Sequence, residues 1–168
     1  MRTLFIAIPL LLLVAVLQST IFYHIRFFEG GFDVMLIVVT AWSLVQRGNE
    51  GPVWAFVGGV IADALSGGPP GAITLGLAGV TVFIAATEGR FYKANWPVAL
   101  IASVLGTLVY HLIYLIVIAL SGYPVNFVDA LATATFPSAI LNFVLMLPVY
   151  QAAKWLAARV APPKVEIG

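Results

Sequence analysis

The chain contains no cysteine. Disulfides, thiolate metal sites and cysteine nucleophiles are therefore excluded, and the redox compartment is left open. Charge is scarce as well. Only 9% of the 168 residues are charged, where a soluble domain carries about 25%. No polar stretch exceeds roughly a dozen residues, far short of the roughly 50 that a soluble domain needs. The formal net charge is +1, and no cluster of Lys and Arg is placed to meet phosphates, which argues against nucleic acid as a partner. Hydrocarbon fills the chain instead: 62% of the residues are hydrophobic and the mean hydropathy is +1.06. A composition of this kind is that of an integral membrane protein.

Apolar runs at 4–23, 33–46, 53–66, 71–88, 97–120 and 127–160 predict a single all-α domain of six transmembrane helices, with 161–168 a short, disordered cytoplasmic tail. The first run spans roughly 30 Å at 1.5 Å per residue. It is longer than the apolar part of a signal peptide and no small-x-small cleavage pair follows it, so it reads as a retained helix, bent locally at Pro9. The second and third runs are only about 13 residues, or roughly 20 Å, each. They either span with help from flanking residues such as Phe32 or form a shallow re-entrant hairpin; spanning is the reading adopted. The segment Arg47-Gly48-Asn49-Glu50-Gly51-Pro52 between them is a turn by composition. The last run is too long for one straight span, and Pro137 and Pro148 are expected to kink or divide it.

Charge orients the chain. With both termini cytoplasmic, Arg2, Arg47, Arg90, Lys93, Lys154, Arg159 and Lys164 lie inside and only Arg26 lies outside, seven against one of the 8 basic residues. Trp42, Trp54, Trp96 and Trp155 all fall near the cytoplasmic helix ends, where amphipathic rings settle, and Tyr23 and Tyr123 would mark the outer face.

Few polar residues interrupt the apolar runs. Asp63 opens Asp63-Ala64-Leu65-Ser66-Gly67-Gly68-Pro69-Pro70-Gly71, a carboxylate followed by a hydroxyl and a rigid Gly/Pro turn. A carboxylate at a helix end is costly unless paired or solvated. The plainer reading has it accept the backbone amides of Ser66 to Gly68; the functional one makes the turn an anchor for a partner. Asp33 suits the N-terminus of the second helix, as a cap or a first-turn acid. Both aspartates fall on the outer side and flank one helical hairpin, which is the proximity a paired-carboxylate enzyme would need. Nothing else supports catalysis: no His-Glu-x-x-His, Gly-x-Ser-x-Gly, P-loop or Gly-x-Gly-Asp is present. His111 and Asn142, in mid-segment, read as groups bonded between helices. Small residues recur at four-residue spacing in Gly58/Ala62, Gly59/Asp63, Ala99/Ser103/Thr107 and Ala102/Gly106, which lets helices approach closely.

The run from Gly31 to about Gly79 resembles the MreD family of bacterial rod shape-determining membrane proteins. The family reads Pro-Asp-Leu before its second helix, where this chain has Phe32-Asp33-Val34. After its third it reads Asp-x-x-Ser-Gly-x-Pro-x-Gly, matched in full by Asp63, Ser66, Gly67, Pro69 and Gly71. The resemblance implies a non-enzymatic, cofactor-free scaffold in the inner membrane, part of the elongasome that directs lateral peptidoglycan synthesis. It implies MreC, a single-pass periplasmic protein, as direct partner, with links to MreB filaments, to the RodA–transpeptidase pair and to membrane lipid. Asp33, Asp63, Ser66, Gly67, Pro69, Pro70 and Gly71 are then the structural or partner-binding residues. The family's fold is similar to the substrate-binding membrane subunits of energy-coupling-factor transporters, so a vitamin-type transporter subunit is the alternative. That function would want an Ala-x-x-x-Ala coupling motif on the first helix, which Ala7 and Ala15 do not supply.

Overall fold

The computed structural model describes residues 2–46, 50–87 and 95–160. The expected turn at 47–49, the polar patch at 88–94 with its basic residues, and the tail at 161–168 lie outside the described residues, as do the side chains of 2–4 and of Tyr23. Among the described residues six helices form: α1 (Arg2–Thr20), α2 (Val34–Val45), α3 (Glu50–Ser66), α4 (Ala72–Thr87), α5 (Trp96–Leu120) and α6 (Phe127–Val160). Between α1 and α2 a 3₁₀ turn (Phe22–His24) leads into a two-stranded antiparallel hairpin, β1 (Arg26–Phe27) and β2 (Gly30–Gly31).

The helices α3, α4, α5 and α6 pack each on the next, and α1 closes against α3. Inside this row lies α2, in contact with all five other helices. Nine of its 12 residues are buried. Its length of roughly 18 Å follows from that position: a helix wrapped by others presents apolar side chains all round. Met35, Leu36, Ile37, Val39, Ala41 and Trp42 form the centre of the core, with Ala7 and Leu11 of α1 and Leu77 and Val80 of α4 around them. Only α5 and α6 are both long and apolar enough to cross a membrane on length and composition alone; α1, α2 and α4 are apolar but shorter.

Two expectations are corrected. Glu50–Pro52 belong to α3 and not to the preceding turn; Pro52 falls in the first turn, where its missing N–H has no intrahelical partner to lose. The tryptophans divide. Trp42 and Trp54 are both 2% exposed and stack on each other at 4.1 Å in the core, whereas Trp96 and Trp155 are exposed. At Pro137 the expectation holds, since regular α-helix is interrupted just before it, whereas Pro148 does not divide α6. It runs on through Pro148, and before Pro137 it widens into a π-turn over Leu131–Thr135, where the Phe136 N–H reaches back to the Leu131 carbonyl.

That π-turn explains the hairpin. Pro137 has no N–H, so the carbonyl of Thr133, four residues earlier, loses its helical donor. The Glu29 N–H donates to that carbonyl at 3.2 Å instead, and the Gly31 N–H donates to Ser138 Oγ at 3.0 Å. Gly30 makes the approach possible: a Cβ there would stand 2.7 Å from Pro137 Cβ and Ser138 N and 2.8 Å from Ala134 O. Phe28 completes the tight loop at φ +55°, with its side chain exposed.

The stripes of small residues are used inside the bundle. A Cβ on Gly58 would meet Met35 Sδ at 2.9 Å, and one on Gly59 would meet Thr74 Cα at 2.5 Å. Ala99, Ser103, Gly106 and Thr107 are buried. Gly30→Ala should therefore destabilise the protein by about 1–3 kcal/mol through overpacking. Gly31→Ala, with nothing within 4 Å of its Cβ, should cost well under half of that. Unfolding by SDS titration of the two variants side by side measures the difference.

Candidate functional site

Two polar constellations interrupt the apolar bundle, and each is built on one of the two aspartates singled out in the sequence. The first is the corner between α3 and α4. Asp63 does not accept the amides of Ser66 to Gly68, contrary to expectation. Its carboxylate crosses to the next helix, where Oδ1 accepts the Ile73 N–H at 3.0 Å and Oδ2 accepts the Thr74 N–H at 3.0 Å and the Thr74 hydroxyl at 2.6 Å. These are the second and third residues of α4, whose N–H groups lack helical partners. The cap is thus supplied by another helix, and negative charge meets the positive end of the α4 dipole. The turn between is held by its own bonds: Ser66 Oγ donates to the Asp63 carbonyl at 3.1 Å and accepts the Gly68 N–H at 3.2 Å. Gly67 and Gly71 adopt φ +65° and +88°, a region glycine enters without strain. The Ala72 N–H donates to the Pro69 carbonyl at 3.2 Å, which closes the turn onto α4. Pro70 lies exposed beside it.

The second constellation gathers at the N-terminus of α2. Asp33 occupies the cap position, but its side chain caps nothing. Asn142 of α6, fully buried, binds it from both ends. Asn142 Oδ1 accepts the Asp33 N–H at 2.9 Å, and Nδ2 donates to Asp33 Oδ2 at 2.8 Å and to Thr107 Oγ1 at 3.0 Å. Thr107 in turn donates to the Ser103 carbonyl at 2.7 Å. From α1, Gln18 Oε1 accepts the Met35 N–H at 2.8 Å. Side chains from two other helices therefore take the N–H groups of Asp33 and Met35 at the start of α2.

His111 of α5 completes the network. Its Nε2 lies 3.3 Å from Asp33 Oδ2 and its Nδ1 3.0 Å from Thr135 Oγ1. Thr135 Oγ1 also donates to the Ala130 carbonyl at 3.3 Å, so hydroxyl, imidazole and carboxylate form one line between helices. The hydroxyl–imidazole–carboxylate order is that of a hydrolytic triad. Thr135 is 1% exposed inside α6, and the line ties α2, α5 and α6 together. The interhelical roles read for His111 and Asn142 are those observed. His24 bonds elsewhere, to the Thr20 carbonyl at 2.8 Å. Among the described residues no group of three or more His, Asp or Glu is placed to hold a metal ion.

Asp33 and Asp63 are not bonded to each other, yet their surroundings adjoin. Ile73, whose N–H Asp63 holds, also lines the cavity that Asp33, Tyr110, His111 and Tyr114 line. That cavity, about 350 Å³, opens between the hairpin and the ends of α1, α5 and α6. A neighbouring one of about 420 Å³ is bounded by Gln18 and Ser19 of α1 and by Leu65 and Ser66 at the corner. Sequence reasoning missed Gln18, Thr135 and the tyrosine pair. The spacing Tyr110/Tyr114 puts both rings on one helix face and was the available signal; Gln18 and Thr135 carry none.

A strongly apolar, all-helical bundle whose few buried polar groups hold helix ends in place defines a membrane protein of structural design. The chain belongs to the MreD family: the model of rod shape-determining protein MreD matches residues 1–157. It is accordingly a rod shape-determining membrane protein. Neither a curated protein nor a solved structure matches the chain.

Removing Asn142 leaves the Asp33 amide without its acceptor and takes one of two partners from the part-buried Asp33 carboxylate. Asn142→Leu should cost about 3 kcal/mol, and Asp63→Ala, which uncaps α4, about 1–2 kcal/mol. Both are read as shifts of the SDS unfolding midpoint, and equal midpoints for Asn142→Leu and the unmodified chain would contradict the network.

Proposed function

We propose that the protein is a non-enzymatic integral membrane scaffold of the rod complex that binds MreC and so helps to control lateral peptidoglycan synthesis. The observation that carries this reading is the family match over residues 1–157. In this reading all six helices span the inner membrane in a layout like that of the energy-coupling-factor subunits, with both termini cytoplasmic. The seven-to-one distribution of basic residues supports that orientation. So do exposed Trp96 and Trp155, the latter with Arg159 lying 3.9 Å from its ring centroid. MreB and the RodA–transpeptidase pair are the further partners, and lipid surrounds the rest.

Because the small-residue stripes are occupied within the bundle, the docking face is made of large side chains. The row of helices ends at α1 and α6. There Leu12, Leu13 and Val16 on one and Ile140, Val144 and Leu147 on the other are exposed. A single-pass partner helix packed between these two ends would close the row. The Asp63–Gly71 corner then serves the complex by fixing the ends of α3 and α4.

The absence of cysteine makes disulfide cross-linking a clean test. Leu12→Cys, Val16→Cys, Ile140→Cys and Val144→Cys are each expected to cross-link to a cysteine in the MreC membrane helix. Leu75→Cys and Val82→Cys, on the exposed face of α4, are not. Co-purification of MreC from native membranes with cross-links only from α4 would overturn the docking face, and no co-purification at all would overturn the scaffold reading.

A further inference from the structure

The cavity beside Asp33 has a chemistry that the scaffold reading does not use. We propose that it binds an organic ammonium group, seated on the Asp33 carboxylate and the rings of Tyr110 and Tyr114. At about 350 Å³ the cavity lies within the range of small-molecule sites, roughly 300–1,000 Å³. Its inner end presents unsatisfied polarity. Asp33 Oδ2 is taken by Asn142 and His111, but Oδ1 has no hydrogen bond among the described residues. Tyr110 is 8% exposed, and its hydroxyl likewise has no hydrogen bond among the described residues. The hydroxyl is open to the cavity, where it is available to a ligand.

The sign of the ligand follows from the walls. Beside His111, the lining carries two carboxylates, Asp33 and Glu29, and one guanidinium, Arg26. An anion would have to face Asp33 at the inner end. A cation finds that carboxylate and two aromatic rings, 6.1 Å apart and within 18° of parallel, whose π-systems attract positive charge. A bare metal ion is a poor fit. Hard cations want six or more oxygen ligands, whereas Phe22, Phe32 and Leu115 make much of this wall apolar. A primary ammonium on a short hydrocarbon stem satisfies both halves of the lining. Its source is either an ethanolamine lipid headgroup or a soluble amine.

The full chain, purified in detergent, is titrated separately with dihexanoylphosphatidylethanolamine, dihexanoylphosphatidylglycerol and ethanolamine, and binding is followed by calorimetry and thermal shift. Saturable binding of the ethanolamine lipid, at least about tenfold tighter than the glycerol lipid, is expected. Ethanolamine binding as well identifies a soluble amine as a sufficient ligand; binding of the lipid alone identifies the headgroup. Tyr110→Phe removes only an unpartnered hydroxyl, so it should fold normally and bind about five- to tenfold more weakly. Tyr114→Leu should lose about tenfold, and Glu29→Gln, exposed at the mouth, a smaller factor. The proposal is overturned if neither ethanolamine probe binds saturably. It is overturned equally if the glycerol lipid binds as tightly, or if folded Tyr110→Phe and Tyr114→Leu both bind as the unmodified chain does.

Discussion

The enclosure of α2 is the constraint on which the structure depends. A helix wrapped by five others has no access to water, and its first N–H groups cannot be left bare in an apolar interior. The protein answers with side chains from elsewhere: Gln18 from α1 takes Met35, and Asn142 from α6 takes Asp33. Because these bonds come from different helices, satisfying the end of α2 fixes the positions of α1 and α6 relative to it. His111 adds α5 through the Asp33 carboxylate. One helix terminus thus organises most of the bundle, and its aspartate is retained for geometry even though burying the charge is unfavourable.

The same logic recurs at the other breaks in regular structure. Pro137 deprives a carbonyl in α6 of its donor, and the hairpin at 26–31 is placed to supply one. Asp63 caps α4 from α3. In each case a backbone group unsatisfied within its own helix is satisfied by a residue distant in sequence, and the bond doubles as a tertiary tie. In a low-dielectric interior such bonds are hard to exchange for others, because no water competes for either partner. Helix–helix packing then needs only shape, which Gly58, Gly59 and Gly76 provide by letting Met35, Thr74 and Tyr110 approach.

Turning the small residues and polar groups inward leaves a surface of large apolar side chains on α1 and α6. Lipid tails accept such a surface, and so does a partner helix. The polar cavity by the hairpin is the exception, a place where hydrogen-bonding capacity and two carboxylates face an opening rather than a neighbour.

Composition by itself determined the class: with 9% charge and 62% hydrophobic residues, burial in lipid follows from solvation alone. Apolar runs bounded by Gly, Pro and charge located all six helices to within a few residues, since those signals are local. The Asp63–Gly71 motif marked the α3–α4 corner and the family, and the mid-segment polarity of His111 and Asn142 marked them as interhelical. Tertiary structure alone decided which atoms these groups meet. That Asp63 caps the next helix, that Asp33 binds Asn142 and His111 rather than its own helix, that Trp42 and Trp54 stack in the core, and that Pro137 is answered by Glu29 are facts about residues 10 to 109 positions apart. Periodicity reports which face of a helix is apolar. It does not report which neighbour that face meets, because every helix of this chain offers nearly the same hydrocarbon.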